Sequence, residues 1–182
     1  MAEYLFYRAQ AAPAKAIAID SGYTFEIWRP TLSSVVPNGL PLIPFGVWWL
    51  FHQLRIFKNR DYALFLVRHD GVVVHRSVIT PGYFRFPFMG ANDLQVGDTF
   101  TEPAHRGKGL ALFALQAILG ADPATRRPYW YVVERTNRPS IRVVEKAGFQ
   151  LAAEGVRSSR FGLRAAGSYV ITRHLANAAT LA

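Results

Sequence analysis

The chain has 182 residues, 51% of them hydrophobic and 18% charged. That balance suits one folded domain and excludes wholesale disorder. It holds no cysteine, which excludes a disulfide scaffold, a thiolate metal site and a cysteine nucleophile, and its net charge of +9 suits a polyanion, an acidic cofactor or a membrane surface without choosing among them.

In chain order, Tyr4–Tyr7, Ala16–Asp20 and Tyr23–Trp28 read as short strands rich in aromatic and β-branched residues. Ser21-Gly22 reads as a hairpin turn between the last two. Three prolines and a glycine make Thr31–Pro44 mostly loop. Phe45–Phe57 reads as a helix, ended by the polar break Lys58-Asn59-Arg60-Asp61. The strands Tyr62–Arg68 and Val72–Ile79 are joined at Asp70-Gly71, a strong hairpin signal. Thr80–Asp93 is a loop rich in aromatic residues, and Leu94–Thr101 is a strand. Gly107–Leu119 is a helix apolar nearly all round, hence central and buried. Tyr129–Val133 is a strand, and Asn137–Ala147 is a helix capped by Asn137 and stopped by Gly148. Phe149–Val156 and Ser168–Arg173 close the chain as strands. This order implies an α/β (α+β) protein, a mixed sheet with helices on its faces.

No secretion signal or membrane span is expected. The N-terminus lacks a basic region followed by an apolar run. The most apolar stretch, Leu40–Phe57, contains Pro44, His52, Gln53 and Arg55, and spanning needs about 20 mostly apolar residues. A cytoplasmic protein is the expectation.

The stretch Asp98–Gly109, DTFTEPAHRGKG, carries the chemistry. A strand runs into Pro103, then a basic loop with two glycines, then a buried helix. Glycines there let backbone amides approach a ligand closely, and free amides with the helix dipole make an anion site. Arg106 and Lys108 add charge, so a diphosphate is the natural guest. The P-loop pattern fails because its first glycine is missing and Leu110 stands where a metal-binding hydroxyl belongs. The dinucleotide fingerprint fails because Leu112 stands at its third glycine.

Arg106-Gly107-Lys108-Gly109-Leu110-Ala111 resembles the [QR]-x-x-G-x-[GA] acetyl-CoA motif of the GCN5-related N-acetyltransferase (GNAT) superfamily. About thirty residues on, a strand is followed by Asn137-Arg138-Pro139-Ser140 and, one helix later, Gly148-Phe149, which resembles the family's N-x-x-[SA] … G-F block. The two blocks cover Leu94 to Phe149, about a third of the chain. The resemblance implies the GNAT fold: a single mixed, mostly antiparallel sheet splayed between its fourth and fifth strands, here Leu94–Thr101 and Tyr129–Val133, with helices on both faces. Residues 1–182 would form one domain, with an acceptor-side half (1–93), an acetyl-CoA-binding core (94–149) and a closing hairpin (150–182).

The resemblance implies direct transfer of acetyl from acetyl-CoA to a primary amine, without an acyl-enzyme and without a metal. Phe100 and Thr101 would pair with the pantetheine amides. Arg106, Gly107, Lys108, Gly109, Leu110 and Ala111 would hold the pyrophosphate, and Asn137 and Ser140 would line the cofactor's far side. Glu134 is the first candidate base, sharing one strand face with Val132 and Trp130; the rival reading is a surface carboxylate paired with Arg135 or Arg138. Asp93, Asp98, Glu102 and His105 follow it, His105 being read as structural. Many family members carry a tyrosine seven residues after the Asn, as the acid for the departing thiolate. Here that place is Val144, so Tyr83, Tyr131 and Tyr169 are the candidate stand-ins.

On the acceptor side, Phe45–Phe57 reads either as a core helix or as an interfacial one with Arg55, Lys58 and Arg60 toward lipid phosphates. The loop Tyr83–Leu94 resembles segments of acetyltransferases from bacterial surface-polysaccharide gene clusters, where the acceptor is an amino sugar on a nucleotide or lipid diphosphate. The expected activity is therefore N-acetylation of a small-molecule amine or amino sugar. The alternatives are a protein N-terminal acetyltransferase of the ribosomal-protein type and a CoA-binding module with reduced catalysis. A homodimer is allowed, and peripheral membrane contact through 45–60 is an option. The basic last third suggests nucleic acid on charge alone, but no helix-turn-helix or stacking platform supports it. The five histidines show no metal-ligand spacing.

Overall fold

A computed structural model describes residues 3–12, 19–159 and 167–175. Its strands are β1 (Glu3–Gln10), β2 (Tyr23–Trp28), β3 (Ala63–His69), β4 (Val72–Pro81), β5 (Leu94–Thr101), β6 (Pro128–Glu134), β7 (Gln150–Arg157) and β8 (Tyr169–His174). Its helices are α1 (Leu42–Gln53), α2 (Leu110–Gly120) and α3 (Arg138–Lys146). One eight-stranded sheet runs β2-β3-β4-β5-β6-β1-β7-β8. Every neighbouring pair is antiparallel except β5 and β6. The first strand of the chain thus lies in the middle of the sheet, between β6 and β7.

Alternation along the strands sorts the core into two layers. Phe65, Val67, Val96, Tyr131 and Val133 pack with Leu115, Ile118, Ile141 and Val144 of α2 and α3. Leu64, Leu66 and Val78 pack on the opposite face with Phe45 of α1 and with Tyr83, Phe86 and Met89 of the loop after β4. Helices therefore cover both faces.

Local chemistry explains most boundaries. Asp70 and Gly71 both have positive φ (50° and 77°), as a two-residue hairpin turn requires. Asn137 Oδ1 accepts from the Ser140 amide at 3.2 Å and starts α3. Gly148, at φ 98°, ends it, with its amide bonded to the Glu145 carbonyl.

Two sequence expectations need correction, and a third falls mostly outside the described residues. The helix expected over Phe45–Phe57 begins at Leu42 and stops at Gln53. Pro44 falls in its first turn, where an amide has no intrahelical acceptor and proline is tolerated, and Arg55 at φ 56° turns the chain out of it. The helix expected from Gly107 begins at Leu110, because Gly107 and Gly109 (φ 77° and 80°) are left-handed and cannot continue a right-handed helix. The strand expected over Ala16–Asp20 lies outside the described residues up to Ala18, and Ile19 and Asp20 have no regular structure.

Candidate active site

β5 and β6 are in register at only two positions, Leu94 with Tyr129 and Gln95 with Trp130. Beyond them the strands part. The cause sits on β5: its register against β4 shifts between Arg76 and Val78, and Asp98 has φ 43°. A bulge of this kind bends its strand away from its neighbour. Gln95 holds the apex of the gap, its amide donating to the Val96 carbonyl at 2.8 Å and accepting from Thr80 at 3.0 Å. That closes one carbonyl that the missing ladder would leave open.

The helix-covered side of the gap is a cleft of about 680 Å³. Phe100 and Thr101 form its β5 wall, and Arg106, Gly107, Gly109, Leu110 and Ala111 form its end at the start of α2. Asn137 and Ser140 line its far side, and Tyr131 its β6 wall. No side chain caps α2, and the amide of Phe113 is bonded to the Gly109 carbonyl. The amides before it are left without helical partners, beside the positive end of the helix dipole. The two basic side chains of the loop have contacts of their own. Arg106 Nε turns back onto the Thr101 carbonyl at 3.0 Å. Lys108 stands 5.8 Å from the Tyr23 ring centre and is not among the lining residues. His105 is pinned by the Tyr23 hydroxyl at 2.9 Å.

Behind the cleft runs a chain of hydroxyls that the sequence analysis missed. His75 contacts Thr101 Oγ1 at 2.7 Å and Ser77 Oγ at 3.2 Å, and Ser77 contacts Thr99 Oγ1 at 3.1 Å. His75 is 1% exposed. Burial, helped by the Arg76 charge, lowers its pKa to about 4, so the ring is neutral. The signal was present: His75 and Ser77, two apart in one strand, must share one face. Thr99 and Ser140 also lie beside the Tyr131 phenol, whose pKa burial raises despite their opposing effect. Val144, at the place of the family's tyrosine, is fully buried in the core between α3 and the sheet.

On the other face of the sheet a smaller pocket of about 170 Å³ meets the same gap. Its walls are aromatic: Trp48 from α1, Tyr83 and Phe86 from the loop, and Tyr169 from β8. Phe86 and Tyr169 stack with ring centres 5.4 Å apart. Burial raises the Tyr83 pKa to about 12. Arg85 and Asp98 are the charged lining residues, and Gln95, Gly97 and Val132 form the floor. Arg76 stands 3.6 Å from Asp98 and lies over the Phe100 ring. Glu134 lines neither cavity. Its carboxylate accepts from the Tyr4 hydroxyl at 3.0 Å, and the Tyr4 ring meets Tyr169 edge-on at 5.0 Å. Burial, then the Glu134 hydrogen bond, raises the Tyr4 pKa. Arg135 is not Glu134's partner; it pairs with Glu3 and Glu154.

A family model described as "Acetyltransferase (GNAT) family" matches residues 25–149, more than half of the chain. The chain belongs to the GNAT acetyltransferase family. Acetyl-CoA-dependent acetyl transfer is general to that family. Among solved structures, a GCN5-related N-acetyltransferase of Sphaerobacter thermophilus is 20% identical with a TM-score of 0.58, over 84% of this chain and 49% of its own. A GNAT-family protein of Novosphingobium aromaticivorans gives 20% identity and 0.54, over 84% and 61%. A tandem GNAT protein from the clavulanic acid biosynthesis pathway gives 16% and 0.56, over 82% and 50%. At these identities the likeness shows the shared GNAT fold. The chain spans about half to three-fifths of the length of these structures. No curated protein matches the sequence.

Proposed function

We propose that this chain is an acetyl-CoA-dependent N-acetyltransferase acting on the primary amine of a small molecule, an amino sugar included. The observation that carries the reading is the pair of cavities meeting at one gap between β5 and β6, a long cleft on one face and a small aromatic pocket on the other. Bound acetyl-CoA supplies an activated thioester. In this reading the amides opening α2 hold its diphosphate, and the freed edge of β5 near Phe100 and Thr101 holds the pantetheine amides. The acceptor enters from the aromatic pocket, whose size favours a small amine over a folded protein terminus.

Attack needs a neutral amine, and an unperturbed alkyl ammonium has a pKa near 10.4. A carboxylate that removes its proton therefore matters most at low pH. Asp98 is the carboxylate in the pocket wall; Glu134 connects to it only through Tyr4 and Tyr169. We assign Asp98 to hold and deprotonate the ammonium, with Glu134 the second candidate. The Tyr131 phenol keeps its proton because burial raises its pKa. It is thus placed, in this reading, to hydrogen-bond the departing sulfur in place of the tyrosine replaced by Val144.

The test is release of free CoA thiol with a panel of amino sugars, polyamines and N-terminal peptides. Turnover with a small amine is expected. Asp98→Asn is expected to lower kcat/KM about 10²–10⁴-fold at low pH, with the deficit shrinking as the free amine accumulates. A deficit of that form in Glu134→Gln, and not in Asp98→Asn, transfers the role. Turnover restricted to peptides refutes the small-molecule reading.

A further inference from the structure

α1 is apolar on both sides. Its inner face packs Phe45 into the core and gives Trp48 to the aromatic pocket. Its outer face carries Ile43, Val47, Leu50 and then Leu54, spaced four, three and four apart, a single stripe along the helix. Ile43 is 84% exposed, Leu54 62%, and Val47 and Leu50 nearly half. Leu32, 83% exposed, follows Thr31, whose carbonyl accepts from Trp49 Nε1 on the flank of α1 at 2.9 Å. Ile56 extends the patch past the helix end. A helix apolar all round is normally buried all round, and a contiguous exposed apolar patch of this kind marks a contact surface.

The charge around the patch says what the contact is. Between Glu26 and Asp61 the chain has no acidic residue, while Arg55, Lys58 and Arg60, just after α1, are basic, and Lys58 Nζ donates to the Met89 carbonyl. Arg55 lies exposed between Leu54 and Ile56, and Arg60 reaches the end of α1 by donating to the His52 carbonyl at 2.8 Å. We propose that the outer face of α1 docks the protein on an anionic lipid bilayer, with the stripe in the acyl boundary and the basic rim on the headgroup phosphates. A second copy fits less well, since a self-paired face offers no carboxylate to answer its own arginines. α1 is about one helix diameter thick, ~10 Å, so a docked protein carries its aromatic pocket at about headgroup depth. The proposal does not rest on the acetyl-transfer reading.

The test uses the full chain and vesicles of phosphatidylcholine alone or mixed with phosphatidylglycerol. Co-sedimentation with the mixed vesicles only, weakened by salt, is expected, with a blue shift of tryptophan emission. Ile43→Glu/Leu50→Glu and, separately, Arg55→Glu are expected to weaken partitioning about tenfold or more, while circular dichroism and thermal unfolding remain those of a folded protein. Absence of binding to the mixed vesicles overturns the proposal, as does equal pelleting by the folded double variant. A concentration-dependent dimer that Ile43→Glu/Leu50→Glu dissolves also overturns it, giving the face to a second copy.

Discussion

Gly109 is where a single residue governs the candidate cofactor site. Its φ of 80° lies in the region that costs an L-residue about 1–2 kcal/mol, and a Cβ there would meet no atom within 4 Å. A side chain at 109 therefore leaves the core unclashed but occupies a position that lines the cleft. Gly109→Val is expected to unfold cooperatively with only a modest loss of stability, yet to bind acetyl-CoA at least tenfold more weakly by calorimetry. Retained affinity would remove the α2 amides from the role of diphosphate site. The motif that placed this glycine was readable because it is local: a strand end, a loop and a helix start within twelve residues. The directions of its basic side chains were not. Arg106 folds back onto Thr101 and Lys108 toward Tyr23, contacts set by residues from other parts of the chain.

Among the elements, β4 and β5 show how a polar ladder inside a sheet makes stability depend on pH. His75 stays neutral in the folded protein down to about pH 4, whereas an unfolded histidine takes up a proton near 6.5. Between those values the unfolded chain binds more protons, so stability is complete above about 6.5 and falls as the pH drops toward 4. The loss from His75 is on the order of 3 kcal/mol. His52, whose pKa burial also lowers, acts in the same direction. Urea unfolding at pH 7 and near pH 4.5 should show a much smaller pH difference for His75→Gln than for the parent; an equal difference would place the titration elsewhere. The same two strands mark where sequence reading stopped. The hairpin between β3 and β4 was legible from Asp70-Gly71, and α3 from Asn137 and Gly148, because turns and caps are written in adjacent residues. The bulge at Asp98, the Thr101–His75–Ser77–Thr99 contacts and the insertion of β1 between β6 and β7 depend on pairings between distant segments, which no local pattern encodes. Prolines at 41 and 44 hid the start of α1 for the opposite reason: they are breakers inside a helix but acceptable at its first turn.

At the scale of the whole molecule, two sources of attraction for a polyanion are present, and salt separates them. The net charge of +9 produces a long-range field that mobile ions screen. The amides before Phe113 act as short-range donors in a partly enclosed cleft, where screening is weak. If the diphosphate is gripped chiefly by amides, raising the salt from roughly 0.05 to 0.5 M should weaken acetyl-CoA binding only several-fold, mostly through the association rate. Dephosphorylated CoA analogues should then lose less on salt addition than on Gly109→Val. If the basic surface does the holding, affinity should fall by orders of magnitude over the same range, and Lys108→Ala and Arg106→Ala should each weaken binding most at low salt and flatten its salt dependence. The first outcome is favoured because Arg106, which lines the end of the cleft, has its Nε bonded to the Thr101 carbonyl, and Lys108 is not among the lining residues. Equilibrium titrations at several salt concentrations, with stopped-flow association rates beside them, decide between the two.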